Sequence, residues 1–273
     1  MEENQINLAE TIVREARKPF ILDSDNIAVP TGYTLHDTEK FMEIPRRKIA
    51  KVSLTDLESF IGYIKCHGSL KFCTVYCAAD YTAGQVSFKS IINDHGGEPL
   101  SREWRDHIAN YTPQFSEEWK RWSVKNTHPF GQVDFATFIE ENLKDIASVP
   151  NSPTGAQMLE MALAFEANQD MRFKSAVRLQ NGGVNMGFVQ DDDAQTLATM
   201  KVFERFSIGI PVFWNGDPYQ IDARLRYRVH EGKLTFWYEL IRKDKVLEDG
   251  TKSMIELIKK EAGFPFYFGN PGV

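Results

Sequence analysis

The sequence predicts an α+β fold of mainly antiparallel sheets with flanking helices, and three observations carry that prediction. Runs of β-branched and aromatic residues follow one another across short turns instead of alternating with crossover helices, as at 70–79 and 84–92. An Asn181-Gly182 pair sits between two alternating segments, which is a strong local signal for a tight hairpin. Other segments carry apolar residues at helical spacing, such as Val133, Phe135, Ala136, Phe138, Ile139 and Leu143, against a polar face of Glu140, Glu141 and Lys144.

Taken in order, the chain opens with a helix bearing Ile6, Ala9, Ile12, Val13 and Ala16 on one side. It stops before Pro19, whose predecessor is driven away from helical dihedrals. Short strands at 20–22 and 27–29 flank the turn-rich Asp23-Ser24-Asp25-Asn26. After the Pro30-Thr31-Gly32 turn, 49–53 reads as a strand and 55–63 as a helix with Leu57, Phe60 and Ile61 together. Strands at 70–79 and 84–92 join through Asp80-Tyr81-Thr82-Ala83, and 107–111 adds another. Helices follow at 116–125 and 133–146. Ser116 is placed to cap the first, with Glu117 and Glu118 at its positive end. In that helix Trp119 and Trp122 lie three apart on one side, as core anchors do.

The one clear composition shift is Ser148-Val149-Pro150-Asn151-Ser152-Pro153-Thr154-Gly155, rich in Pro, Ser and Gly. Read as a linker, it divides the chain into an N-terminal half, 1–147, and a hairpin-rich C-terminal half, 156–273. The second half runs from a helix at 157–168 through a hairpin of 172–179 and 184–189. A strand at 203–211, a second hairpin over 220–242 and a helix at 252–262 complete it.

Composition narrows the function. The 273 residues are 42% apolar and 26% charged with a formal net charge of −6, which excludes a surface that coats nucleic acid as a whole but leaves a local basic strip open. No run approaches the roughly eighteen apolar residues of a membrane span, and Met1-Glu2-Glu3-Asn4 begins an acidic stretch, so the expectation is a cytoplasmic protein with no membrane partner. Cys66, His67, Cys73 and Cys77 invite a zinc test and fail it. Two thiols four residues apart on a strand share a face but stand about 13 Å from each other, too far to hold one ion at about 2.3 Å. They read as reduced, buried structural thiols, and no metal or cofactor is expected. His67 and His95 are not placed against a thiol by any spacing. His95-Gly96-Gly97 and Asn181-Gly182-Gly183 read as turns, and Asp191-Asp192-Asp193 as a solvated loop. With no paired carboxylates, Ser-His-Asp or His-Glu-x-x-His pattern, the expected role is non-enzymatic.

The informative segment is the hairpin from Ala223 to Leu240. If Glu231-Gly232 is a two-residue turn, cross-strand partners sum to 463, which pairs Val229 with Leu234, Tyr227 with Phe236 and Leu225 with Tyr238 on a core face. The opposite face presents Arg228 across from Thr235, Arg226 across from Trp237 and Arg224 across from Glu239. Three guanidinium groups about 6.6 Å apart beside an indole can track phosphates while Trp237 stacks a base. The same residues also support a purely structural reading, with Arg226 over Trp237 as a cation–π pair and Arg224 with Glu239 as a cross-strand ion pair. Arg46-Arg47-Lys48 is a shorter basic run, and His36 stands beside Asp37 and Glu39; both are secondary candidates.

Several segments are shared with a known family: Leu35-His36-Asp37-Thr38-Glu39-Lys40-Phe41, Phe60-Ile61-Gly62-Tyr63, Trp119-x-x-Trp122, and Phe135-Ala136-x-Phe138-Ile139-Glu140-x-Asn142. In the second half come Phe173-x-Ser175-Ala176-x-Arg178-Leu179-Gln180-Asn181-Gly182, Ile210-Pro211-Val212-Phe213 and Ala223-Arg224-Leu225-Arg226-Tyr227-Arg228 with Gly232-x-Leu234. On these the chain resembles the YfdQ-like family of prophage and bacteriophage proteins, which has no established activity and offers no catalytic residues to carry over. The resemblance implies a phage-encoded accessory protein, found near single-strand annealing and recombination functions. Its candidate partners are single-stranded DNA or a phage recombination protein. Two other roles stay open: an interaction factor that inhibits a host defence protein or forms a homo-oligomeric scaffold, and a nucleotide or small-molecule binder with its pocket between the halves.

Overall fold

Short apolar stretches broken by turn residues build the start of the chain. The computed structural model describes residues 8–21, 27–32, 34, 39–96, 103–166, 171–178, 183–190, 197–230 and 233–272. Its first unit ends at Ile49. It holds helix α1 (Leu8–Ala16) and the antiparallel pair β1 (Phe20–Ile21) and β2 (Ile27–Ala28), in which Phe20 faces Ala28.

The second unit begins at Ala50 with β3 (Ala50–Leu54), followed by α2 (Leu57–His67). Asp56 caps α2 by accepting a hydrogen bond from the Ser59 N–H at 2.8 Å, and Phe60, Ile61 and Ile64 turn inward. Next come β4 (Thr74–Asp80), β5 (Gln85–Ile91) and β6 (His107–Tyr111), then α3 (Glu117–Val124), β7 (Phe130–Gly131), α4 (Gln132–Glu141) and α5 (Gly155–Glu166). Strands β8 (Met171–Arg178), β9 (Gly183–Gln190) and β10 (Leu197–Phe203) form an antiparallel three-stranded sheet. The chain continues with β11 (Arg205–Pro211), β12 (Pro218–His230), β13 (Lys233–Leu240), α6 (Lys243–Ala262) and β14 (Phe266–Phe268).

Two larger sheets organise this unit, and the α+β class predicted above is the one observed. A five-stranded sheet runs β14-β4-β5-β6-β3; its outer pairings, β14 with β4 and β3 with β6, are parallel, and the inner ones antiparallel. Its inner face carries Phe88 and Tyr111, on which the Phe60 ring of α2 stacks at 5.8 Å from Tyr111. The second sheet runs β11-β12-β13-β7 with every pairing antiparallel. Helices α3 and α4 supply the rings that fill its inner face. Trp122 meets Phe138 edge-on at 4.9 Å and Tyr238 at 5.2 Å, and Phe135 stacks on Phe236 at 4.9 Å. Elements from before and after the segment 148–155 thus share one core: β7 pairs with β13, and the backbone of Ile146 bridges to Ile208 on β11.

The differences from the sequence reading are mostly local in origin. The strand expected at 70–79 begins at Thr74, because the Cys73 N–H turns back to the Ser69 carbonyl at 2.9 Å. The helix expected over 133–146 ends at Glu141, where Asn142 spends its side chain on the Phe138 carbonyl (2.7 Å) and a single 3₁₀ turn follows. The strand expected at 203–211 is the whole of β11 together with Phe203, the last residue of β10, and Glu204 between them. Helix α6 starts nine residues before the position expected at 252. Gly250 reads as a break, yet it is there because its bare Cα lets the Phe213 ring approach; a Cβ would stand 3.2 Å from that ring.

Candidate nucleic-acid interface

The alternating pattern of β12 and β13 sorts their side chains onto two faces. Every partner inferred from the sum of 463 is observed, with Leu225 opposite Tyr238, Tyr227 opposite Phe236, Arg224 opposite Glu239, Arg226 opposite Trp237 and Arg228 opposite Thr235. Leu225, Phe236 and Tyr238 are buried in the aromatic core. The Tyr238 hydroxyl donates to the Trp122 carbonyl at 2.7 Å, and burial pushes its ionisation far above the ordinary tyrosine range. These contacts fix the register. A slip of one residue would turn every arginine of β12 into that core.

On the solvent face Arg224, Arg226 and Arg228 are exposed and Trp237 is half-buried. Arg226 Nε lies 3.6 Å from Glu239 Oε1, diagonally across the ladder. That corrects the ion pair read from the sequence, which joined Arg224 to Glu239; the directly opposite residues are backbone partners, but the carboxylate leans toward the next arginine. Arg226 therefore points at Glu239 and, among the described residues, not over the Trp237 ring. No acidic side chain among the described residues pairs with Arg224 or Arg228.

Strand β11 adds a residue the sequence reading missed. Arg205 is exposed and stands directly opposite Arg224, on the same face of the sheet. Like charges facing each other across a ladder cost stability, by roughly 0.2–1 kcal/mol, so the fold holds four guanidinium groups together against its own electrostatics. The signal was available: Pro211 and Pro218 flank the turn Val212-Phe213-Trp214-Asn215-Gly216-Asp217, and a ladder centred there brings 205 opposite 224. Beyond this strip, Asp222 is occupied by the Ser207 hydroxyl at 2.8 Å and the Gln220 amide at 3.3 Å. Lys233 and His230 close the other end as an exposed pair.

Arg46, Arg47 and Lys48 belong to the first unit, where the Arg46 N–H bonds the Glu39 carboxylate at 2.7 Å. His36, Asn181-Gly182 and Asp191-Asp192-Asp193 lie outside the described residues. Cys73 and Cys77 are buried free thiols, as anticipated, and desolvation pushes both up to about 11, while Cys66 is exposed. His95 Nε2 lies 3.2 Å from the Thr74 hydroxyl and 3.4 Å from Asp94 Oδ2. Asp94 in turn accepts from Arg105 Nε at 2.8 Å, so this cluster ties the ends of β4 and β6 together. Among the described residues no group of three or more His, Cys, Asp or Glu side chains converges to hold a metal ion, and no helix is long and apolar enough to cross a membrane.

A family model described as an uncharacterized conserved protein matches residues 1–271, nearly the whole chain. The chain belongs to the DUF2303 family. No curated protein and no solved structure matches it, so the chemistry of this DUF2303 chain is read from its own side chains.

Proposed function

We propose that this DUF2303 protein is a non-enzymatic binder of single-stranded nucleic acid, with the solvent face of β11, β12 and β13 as its contact surface. The observation that carries this reading is the set Arg205, Arg224, Arg226 and Arg228, held side by side next to Trp237, with Arg226 alone paired to a carboxylate, Glu239, among the described residues. Guanidinium forks bind phosphate oxygens bidentately, and a half-buried indole offers a base one π-face without sequence preference. An exposed sheet face suits a single strand, whose bases are free to lie against it. The resemblance to prophage proteins found near annealing and recombination functions points to the same substrate, and to a role as a phage-encoded accessory factor.

The test is fluorescence anisotropy of a labelled oligonucleotide at about 50 and 200 mM salt. Binding that weakens with salt, and is lost when Arg224, Arg226 and Arg228 are all changed to alanine, supports the proposal. With a slope of about 0.7 per phosphate contact on single strands, three contacts predict about an eighteenfold loss of affinity over that fourfold rise in salt. No binding at either salt, or binding indifferent to the triple substitution, overturns it.

A further inference from the structure

A second feature of this unit shares no residue with the arginine strip. An open cleft of about 450 Å³ lies between the start of α2, the middle of α6 and the turn linking β11 to β12. That volume falls within the usual range for ligand sites, roughly 300–1,000 Å³. Trp214, Tyr219 and Leu257 give it an aromatic and aliphatic wall, and Asp56, Glu58 and Asp217 ring it with carboxylates; no basic side chain among the described residues lines it.

The wall is built rigidly. The Trp214 N–H donates to the Gln114 carbonyl at 2.8 Å, and the Gly216 N–H to the Phe213 carbonyl at 2.9 Å. Phe213 itself is pinned by its bridge to Phe115, with the two rings stacked at 5.5 Å. Between them Asn215 takes the left-handed conformation (φ 58°), which asparagine tolerates better than most residues. A backbone fixed this closely nevertheless leaves Trp214 itself 53% exposed. A large apolar ring held at the rim of a cleft, and not folded into the core beside it, is pre-organised for a contact outside the chain. At the start of α2 the Ser59 hydrogen bonds hold the Asp56 carboxyl below its ordinary range, so it is charged at neutral pH.

We propose that this cleft binds the side chain of an arginine or lysine presented by a basic peptide segment of a partner protein. The lining selects a cation with an apolar stem: indole and phenol faces attract a guanidinium or ammonium, carboxylates complement its charge, and Leu257 meets the methylene stem. An anion is repelled by three carboxylates, and a neutral apolar group leaves the charges of Glu58 and Asp217 uncompensated. The cleft's open side gives the peptide backbone that carries the side chain a place to lie.

Isothermal titration of the full chain with a short Arg/Gly peptide, its citrulline counterpart and spermidine tests this. The arginine peptide is expected to bind at least about tenfold tighter than the citrulline peptide, with affinity that falls as salt rises. The double variant Glu58→Gln with Asp217→Asn, which preserves shape, should weaken the arginine peptide by about tenfold or more, and Trp214→Ala should do the same at an unchanged melting temperature. The Arg224/Arg226/Arg228→Ala variant should bind the peptide as the parent does, which separates this site from the nucleic-acid surface. Equal binding of the citrulline peptide, indifference to the carboxylate variants, or no heat at about 10 mM peptide overturns the proposal. So does spermidine binding more tightly than the peptide, since the ligand is then a free amine.

Discussion

Replacing Glu239 with glutamine separates a ligand surface from an internally paired one, because only a ligand surface gains affinity when the carboxylate is lost. In the protein Arg226 Nε is 3.6 Å from the Glu239 carboxylate, and the two side chains are 49% and 37% exposed. Coulomb attraction at that distance in a water-like dielectric is about 1.2 kcal/mol, and side-chain entropy and salt reduce exposed pairs to about 0.2–1 kcal/mol. Glu239→Gln is therefore expected to lower folding stability by no more than about 1 kcal/mol. It should tighten binding of a single-stranded oligonucleotide by up to about fivefold at low salt, because Arg226 no longer leaves one partner to meet another. Arg226→Ala goes the other way: affinity falls and the slope of log affinity against log salt becomes shallower by about 0.7. Anisotropy at two salt concentrations, with a urea melt of each variant, reads both quantities. If Glu239→Gln binds no better than the parent while its stability is unchanged, the strip is not a phosphate surface.

Other outcomes follow from the core. Tyr238→Phe removes the hydroxyl that satisfies the buried Trp122 carbonyl, and should cost about 1–3 kcal/mol in a urea melt, whereas Tyr267→Phe, at a 55% exposed position, should stay within about 0.5 kcal/mol. Titration of the native protein with a thiol reagent near pH 8 should modify Cys66 alone, with Cys73 and Cys77 reacting after unfolding, since their thiols stay protonated up to about 11. Cys73, Cys77, Tyr111 and Tyr238 all have raised folded-state values, with Tyr111 at about 12. Their contribution is complete below the unfolded thiol and phenol values and is lost as pH rises. Stability measured by denaturant should therefore fall from about pH 9 upward, each group adding a slope of up to about 1.4 kcal/mol per pH unit. A flat profile to pH 11 would show these groups to be solvated.

How much of this was legible in the sequence depended on how local each determinant is. The β12–β13 register follows from one turn and strict alternation, so the arginines, their partners and the core face were all readable from eighteen residues. Ser116 was identifiable as the cap of α3 because capping uses one side chain and one N–H three residues on, observed at 2.9 Å. The start of α6 was hidden because Gly250 weakens the helical pattern for a reason that lies elsewhere in the chain, the Phe213 ring. The lean of Glu239 toward Arg226 was hidden for a similar reason, since spacing fixes which backbones face each other and not which rotamer a carboxylate adopts. The cleft was invisible to any linear reading: its wall and rim come from 56–58, 214–219 and 257, which periodicity cannot bring together.

The sheet that carries the arginines is also closed along its sides. At one side Ile146 bridges to Ile208 and the Ala147 N–H reaches the Ser207 carbonyl at 2.9 Å, so β11 offers little free ladder to another chain. At the other side β7 is a two-residue strand, too short to template an incoming one. A protein that displays a flat row of cations on a sheet risks joining its neighbours edge to edge. Here the edges are blunted and the face is left open, so crowding along a shared strand would place sheets next to one another without fusing them.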